Sequence, residues 1–223
     1  MKRIAVIPAY NTEQVVADVV ASVRTLVDDV IVVDDGSRDA TAAKAAAAGA
    51  SVAVHLINRG QGAALQTGMD LALLRGADII IHFDSDGQHP AHQIHQLIAP
   101  IAAGEADVVL GSRFLDNTSN VPPIRRLVLK AGGIFTRVVS GLSITDPHSG
   151  FRALSRAAAQ KIRLRQDRMA HASEFLQLLA RHELRYREIP VTIRYTDYSM
   201  ANASQNSWGA IRIVIDLIKG SLL

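Results

Sequence analysis

Asp84 and Asp86 stand one residue apart at the close of an apolar run, Ile79-Ile80-Ile81-His82-Phe83, and Gln88 follows two residues later. Two carboxylates and an amide at that spacing are hard oxygen ligands for Mg²⁺ or Mn²⁺, ions that keep other positions for water and substrate phosphates. Asp34 and Asp35 close a second apolar run. Adjacent acids there repel unless one meets a donor, and the N–H edge of a nucleobase or the hydroxyls of a ribose supply such donors. Asn58-Arg59-Gly60-Gln61-Gly62 brings an arginine and two glycines to the start of a helical stretch, where free N–H groups and the positive helix end favour an anion. Tyr10, between Pro8 and Asn11, offers a ring to lie against a base. Read one at a time, each stretch also makes an ordinary turn, with its acids capping the next helix.

Gathering these residues requires strand ends delivered to one edge. Strand patterns recur at 3–8, 30–33, 51–57, 77–83 and 106–110, with helical stretches between the first four. That alternation predicts βαβ units, right-handed crossovers and a mainly parallel sheet, and open sheets of this kind bind ligands beyond the carboxyl ends of their strands. The first helix is expected to begin near Thr12 with its hydroxyl as cap, and Asp39 to cap the second. Residues 42–50 read as an Ala-rich surface helix ended by Gly49. Pro8-Ala9-Tyr10-Asn11 is not a Gly-x-Gly-x-x-Gly turn, so a dinucleotide site loses its main support.

A chain of 223 residues is long enough for one large domain. It has no cysteine, which excludes a disulfide framework and a thiolate metal site. Met1-Lys2-Arg3 leads into only five apolar residues, too few for a signal peptide, and no stretch approaches the ~20 apolar residues of a membrane span. A cytoplasmic protein is expected. The net charge of +3 is uneven, with basic residues outnumbering acids between 113 and 194, a bias that suits anionic substrates or an anionic membrane surface. Aromatics make up only 4% of the chain and no basic run interleaves them, so nucleic acid is not an expected partner.

Taken together, Pro8-Ala9-Tyr10-Asn11, Asp34-Asp35-Gly36-Ser37, Asn58-Arg59-Gly60-Gln61-Gly62-Ala63 and Asp84-Ser85-Asp86-Gly87-Gln88-His89-Pro90 resemble, in order and spacing, the family 2 inverting glycosyltransferases of GT-A fold. The branch most similar is that of the dolichyl-phosphate or polyprenyl-phosphate hexosyltransferases, mannosyltransferases among them. The likeness continues through Gly111-Ser112-Arg113-Phe114, Asp146-Pro147-His148-Ser149-Gly150-Phe151-Arg152, and Glu174 sixteen residues before Pro190. It implies a Rossmann-like, three-layer α/β/α catalytic domain over 1–199. Pro8, Tyr10, Asn11, Asp34, Asp35, Arg59 and Gly60 would bind the nucleotide sugar. Asp84, Asp86 and Gln88 would hold a cation bridging its diphosphate. Arg113 and either Arg125 or Arg126 would meet the phosphate of a lipid acceptor, since a planar guanidinium grips phosphate with two parallel hydrogen bonds. Gln61 stands where many relatives have lysine, and 194–200 departs from the basic segment that relatives often carry there.

A phosphate acceptor arrives ionised and needs positioning more than a base. A sugar-hydroxyl acceptor, as in cell-surface polysaccharide synthesis, would instead need a carboxylate base, with Asp146 or Glu174 the candidates; the structural alternative for both is an ion pair with Arg152 or Arg168. Two further readings are a nucleotidyltransferase of similar fold and a non-catalytic nucleotide-binding module. Between 121 and 144, apolar residues at helical spacing oppose Arg125, Arg126, Lys130 and Arg137, and 200–223 contains a second such stretch. Basic amphipathic helices of this kind lie on anionic bilayers, so peripheral attachment at the inner face of the membrane, or a membrane-protein partner, is expected. Packing on the sheet or a homodimer contact is the alternative.

Overall fold

The computed structural model describes residues 1–115, 141–147, 149–168 and 170–193. Its strands are β1 Arg3–Ala9, β2 Asp29–Asp34, β3 Ser51–Val54, β4 Ile79–His82, β5 Val108–Ser112, β6 Arg152–Ser155 and β7 Tyr186–Pro190. They form one sheet in the order β3-β2-β1-β4-β6-β5-β7. β6 runs antiparallel to both its neighbours, and every other pairing is parallel. All five expected strands are present, the third and fourth shorter than expected and the fifth displaced toward its carboxyl end. β6 and β7 were not among them. Short strands of mixed composition such as Arg152-Ala153-Leu154-Ser155 give little periodic signal.

The helices are α1 Val16–Arg24, α2 Thr41–Ala47, α3 Gln61–Leu74, α4 Ile94–Ala102, α5 Arg156–Lys161 and α6 His171–Arg181. Alternation along the strands sends Ile4, Val6, Ile80 and Leu154 to one face, where α3, α5 and α6 cover them with Ala64, Met69, Ala158, Phe175 and Leu179. Ala5, Ile7, Ile79, Ile81 and Ala153 take the other face, under Val20 of α1, Ala45 of α2 and Leu97 of α4. Burial on both faces explains why Ile79-Ile80-Ile81 is apolar without alternation. The expected three-layer α/β/α architecture is present. Gly68 is needed for the closest of these contacts, because a Cβ there would sit 2.2 Å from Val6 Cγ1.

Pro8 lies inside a central strand, normally excluded because proline cannot donate to the ladder. Val6 O accepts from Phe83 N at 3.1 Å and Ala9 O from Asp35 N at 2.8 Å. Pro8 therefore faces the same side as Val6, past the end of β4, where no ladder bond is lost.

The expected Thr12 cap is not formed. Asn11, at φ 51, is tied to the neighbouring turn by Ser37 Oγ and Arg38 N, and Thr12 N–H is drawn to Thr41 Oγ1 at 2.8 Å. Thr12 opens the following turn through its backbone carbonyl, its hydroxyl has no partner among the described residues, and α1 begins at Val16. Asp39 behaves as expected, accepting from Thr41 N at 3.0 Å at the start of α2, and Gly49, at φ 96, follows its end. Most of 121–144, with Arg125 and Arg126, and all of 200–223 lie outside the described residues. Residues 141–144, the far end of the first of these stretches, are not helical.

Candidate active site

Four strand ends and the turn before β6 are joined at one edge by a continuous series of contacts. Asn11, after β1, accepts from Arg38 N beyond β2 at 2.9 Å. Asp35, after β2, accepts from Arg59 N and Gly60 N beyond β3 at 3.0 and 2.5 Å. Gln61, the first residue of α3, donates its side-chain amide to Asp84 Oδ1 beyond β4 at 3.0 Å. Asp84 in turn lies against Gly150, ahead of β6. This is the switch point of the sheet, where successive strands are laid down on opposite sides of β1.

Asp84 is fixed from three sides. Besides the Gln61 amide, His89 Nε2 donates to Oδ2 at 3.2 Å, and a Cβ on Gly150 would stand 2.4 Å from Oδ2. Burial alone would raise the Asp84 carboxyl, but the His89 hydrogen bond and the nearby His89, Arg152 and His171 hold it below the usual range. Asp86 goes the other way. Burial and then the Asp84 charge push it up to about 6, and the Gln88 backbone N–H, which donates to Oδ1 at 2.9 Å, only partly opposes them. Two half-buried carboxylates whose charges disfavour each other fit a divalent cation, which relieves the repulsion. Among the described residues no three His, Cys, Asp or Glu side chains converge on a metal position.

Gly150→Ala should displace Asp84, because the new methyl and the carboxylate cannot share one place. We expect cation affinity to fall about 10- to 100-fold, read by Mn²⁺ titration, with a stability loss of about 1–3 kcal/mol in thermal unfolding.

The remaining expected site residues are placed as follows. Pro8 is buried in β1, and Tyr10 is 46% exposed. Asp34 is turned inward, accepting from Ser37 N at 2.7 Å to close its own turn. Arg59 reaches Asp167 at 3.2 Å, and Asp167 O accepts from Ala63 N at the start of α3, so a backbone carbonyl already lies at that helix end. Gly60, at φ 101, has no room for a Cβ against Asp167 O at 2.7 Å. Arg126 lies outside the described residues.

Arg113 and Asp146 form a buried two-pronged pair, Nε to Oδ2 and Nη2 to Oδ1, each 2.6 Å. This corrects the expected Arg152 or Arg168 partner of Asp146: Arg113, at the end of β5, approaches Asp146 first, with its backbone N–H also bonded to Oδ2. Glu174 likewise makes no ion pair with either arginine. It sits in the first turn of α6 and accepts from Arg165 N and Gln166 N at 2.8–3.0 Å.

Several residues at this edge were given no place in the site by the sequence reading, Arg152 being offered there only as an ion-pair partner. Arg152, directly across from His82 in the sheet, is buried over the Phe175 ring at 4.3 Å. Burial lowers it to about 10 although Asp84 and Asp146 favour its charge. His82 is held neutral, down to about 3, by burial and by Arg152, and neither ring nitrogen has a partner among the described residues. Glu188 of β7 binds Thr145 N at 2.9 Å and so holds the Asp146 turn. His55 and Thr67 stand behind Asp35. Arg152 closes the 146–152 motif, but its place beside His82 follows from the pairing of β6 with β4, and His55 and Thr67 reach Asp35 only through the packing of α3.

Comparison with known proteins places this chain among sugar-transferring enzymes. Residues 4–163 match Glycosyl transferase family 2. The chain is 33% identical over 221 residues to the UDP-N-acetylglucosamine–dolichyl-phosphate N-acetylglucosaminyltransferase of Methanococcus voltae, covering 89% of this chain and 88% of that one. It is 35% identical over 173 residues to the polyprenol monophosphomannose synthase of Mycolicibacterium smegmatis, covering 73% of this chain and 65% of that one. Among solved structures, glucosyl-3-phosphoglycerate synthase from Mycobacterium tuberculosis in complex with Mn²⁺ and UDP-glucose matches with a TM-score of 0.69 at 22% identity, over 94% of this chain and 77% of that chain. That last likeness is one of fold.

Proposed function

Because this chain belongs to glycosyl transferase family 2 and has the GT-A fold, we propose that it moves a hexose from a nucleotide sugar, GDP-mannose or a UDP-hexose, to a polyprenyl or dolichyl phosphate. Asp84 and Asp86, with the Gln88 side chain, would hold the Mg²⁺ or Mn²⁺ at the donor diphosphate. The observation that carries this reading is the fixed Asp84, clamped by Gln61, His89 and Gly150 beside the raised Asp86. A bound divalent cation neutralises the leaving diphosphate as the glycosidic bond breaks. Tyr10, Asn11, Asp35 and the 58–60 turn would position the nucleoside.

Asp146 and Glu174, the base candidates for a hydroxyl acceptor, are both engaged, one with Arg113 and one with backbone N–H groups. That favours an acceptor that arrives already ionised. Arg113 is proposed to meet its phosphate, with Asp146 fixing the guanidinium, and Arg126 to assist. A lipid acceptor sets the reaction at a membrane surface. Among the described residues no helix is long and apolar enough to cross a membrane, and the proposed contacts are the basic stretch around Arg126 and the 200–223 segment. The test is incubation with labelled donor, Mn²⁺ and polyprenyl phosphate. Label should pass into the organic phase, and transfer only to a sugar hydroxyl would contradict the acceptor reading.

Cation binding should depend on pH. A carboxyl raised to about 6 holds its proton more tightly folded than unfolded, so the metal-free protein gains stability from Asp86 as pH falls from above 6 toward 4. Mn²⁺ competes with that proton. Its stabilisation in thermal unfolding should therefore be greatest above pH 6 and shrink below it, by up to about tenfold in affinity per pH unit.

A further inference from the structure

Asp35 is 3% exposed, and its oxygens are unequally occupied. Oδ1 accepts from His55 Nδ1 at 2.7 Å and from Arg59 N at 3.0 Å, whereas among the described residues Oδ2 accepts only from Gly60 N at 2.5 Å. A carboxylate only accepts, so His55 Nδ1 carries the proton. Its Nε2 lies 3.0 Å from Thr67 Oγ1 on α3, which fixes the ring from behind. A carboxylate has about four acceptor positions, two per oxygen. Both on Oδ1 are filled, and among the described residues one remains on Oδ2.

Asp35 cannot easily be re-aimed to free the other oxygen. The turns beyond β2 and β3 meet so closely that a Cβ on Gly36 would stand 2.9 Å from Asn58 N and Ile57 C.

Resting on the proposal that the Asp35 edge receives the donor's nucleoside, we infer that the donor carries a base with a single imide N–H on that edge, uracil or thymine, rather than guanine. The imide N–H takes the one open position on Oδ2. Guanine presents two donors side by side, its ring N1–H and its exocyclic amine, and the second meets an Oδ1 already saturated by His55 and Arg59. A donor desolvated without an acceptor lowers affinity by about tenfold or more. His55 is then a specificity-determining residue that acts through Asp35 without touching the base.

The test is a calorimetric titration of the full chain in Mn²⁺ with UDP, GDP and inosine diphosphate. The last has guanine's ring size but lacks the exocyclic amine. UDP should bind about tenfold or more tighter than GDP, and inosine diphosphate tighter than GDP. In His55→Phe, which keeps a ring but frees Oδ1, the gap between GDP and UDP should narrow; the wild-type series decides the matter should that variant not fold. GDP binding as tightly as UDP, or inosine diphosphate binding no better than GDP, would overturn the inference while leaving sugar transfer intact. Failure of all three to bind the folded protein would overturn the donor-site proposal itself, and this inference with it.

Discussion

Asp86→Asn should lower sugar transfer by about a thousandfold and, at neutral pH without metal, should make the protein more stable. The two effects have one cause. At pH 7 the wild-type Asp86 is ionised although burial and Asp84 push its carboxyl up to about 6. That strain is on the order of 3 kcal/mol, because the carboxyl is raised by about two units and each unit of pKa is about 1.36 kcal/mol. An amide removes the charge and with it the strain. It also removes the second carboxylate of the proposed cation site, and a cation at a developing phosphate charge contributes several kcal/mol, with each 1.36 kcal/mol a tenfold change in rate. The measurements are thermal unfolding in EDTA and turnover in Mn²⁺. A variant less stable than wild type in EDTA would show that Asp86 is held by favourable contacts and serves the fold. The added stability should shrink as pH falls below 6 and vanish near pH 4, where Asp86 is protonated in both the folded and the unfolded chain.

Asp146→Ala should have the largest effect on stability, a loss of about 3–5 kcal/mol. The Asp146 side chain is wholly buried and meets Arg113, 10% exposed, through two hydrogen bonds of 2.6 Å and a third from the Arg113 backbone. Removing the carboxylate takes it from both prongs of a buried guanidinium, and the charge that stays behind is costly in that setting. For a domain of this size the loss corresponds to a fall in Tm of roughly 10 °C. Asp146→Asn keeps the shape and one acceptor and should lose less. If Asp146 acted chiefly as a base, Asp146→Ala would lose activity with its Tm unchanged.

Legibility followed the range of the interactions. The parallel core was readable because Val, Ile and Ala recur in runs that only a sheet covered on both faces can bury, and β1, β2 and β4 sit where those runs are. The acids were readable because polar residues at the close of such runs must face the edge. Their partners were not. Gln61 and Gly150 reach Asp84 from positions 23 residues behind and far ahead in sequence, and only the antiparallel insertion of β6 beside β4 makes the second contact. Arg113 and Asp146 were each singled out, for separate roles, yet their union depends on β5 and the turn before β6 ending at the same place. Thr12 shows the same limit at short range: its hydroxyl is a good cap by type, but Asn11 at φ 51 commits the chain to the neighbouring turn first. Gln88 enters the described contacts through its backbone, and its role as a third ligand belongs to the proposal.

The most direct measurement of the central claim is release of nucleoside diphosphate from a labelled nucleotide sugar by purified protein with a polyprenyl phosphate acceptor. Wild-type turnover should stop in EDTA and return on adding Mn²⁺ or Mg²⁺, and Asp86→Asn should stay inactive at every metal concentration. Undiminished turnover in EDTA, or full activity in Asp86→Asn, would contradict the assignment of Asp84 and Asp86 as the centre of the reaction.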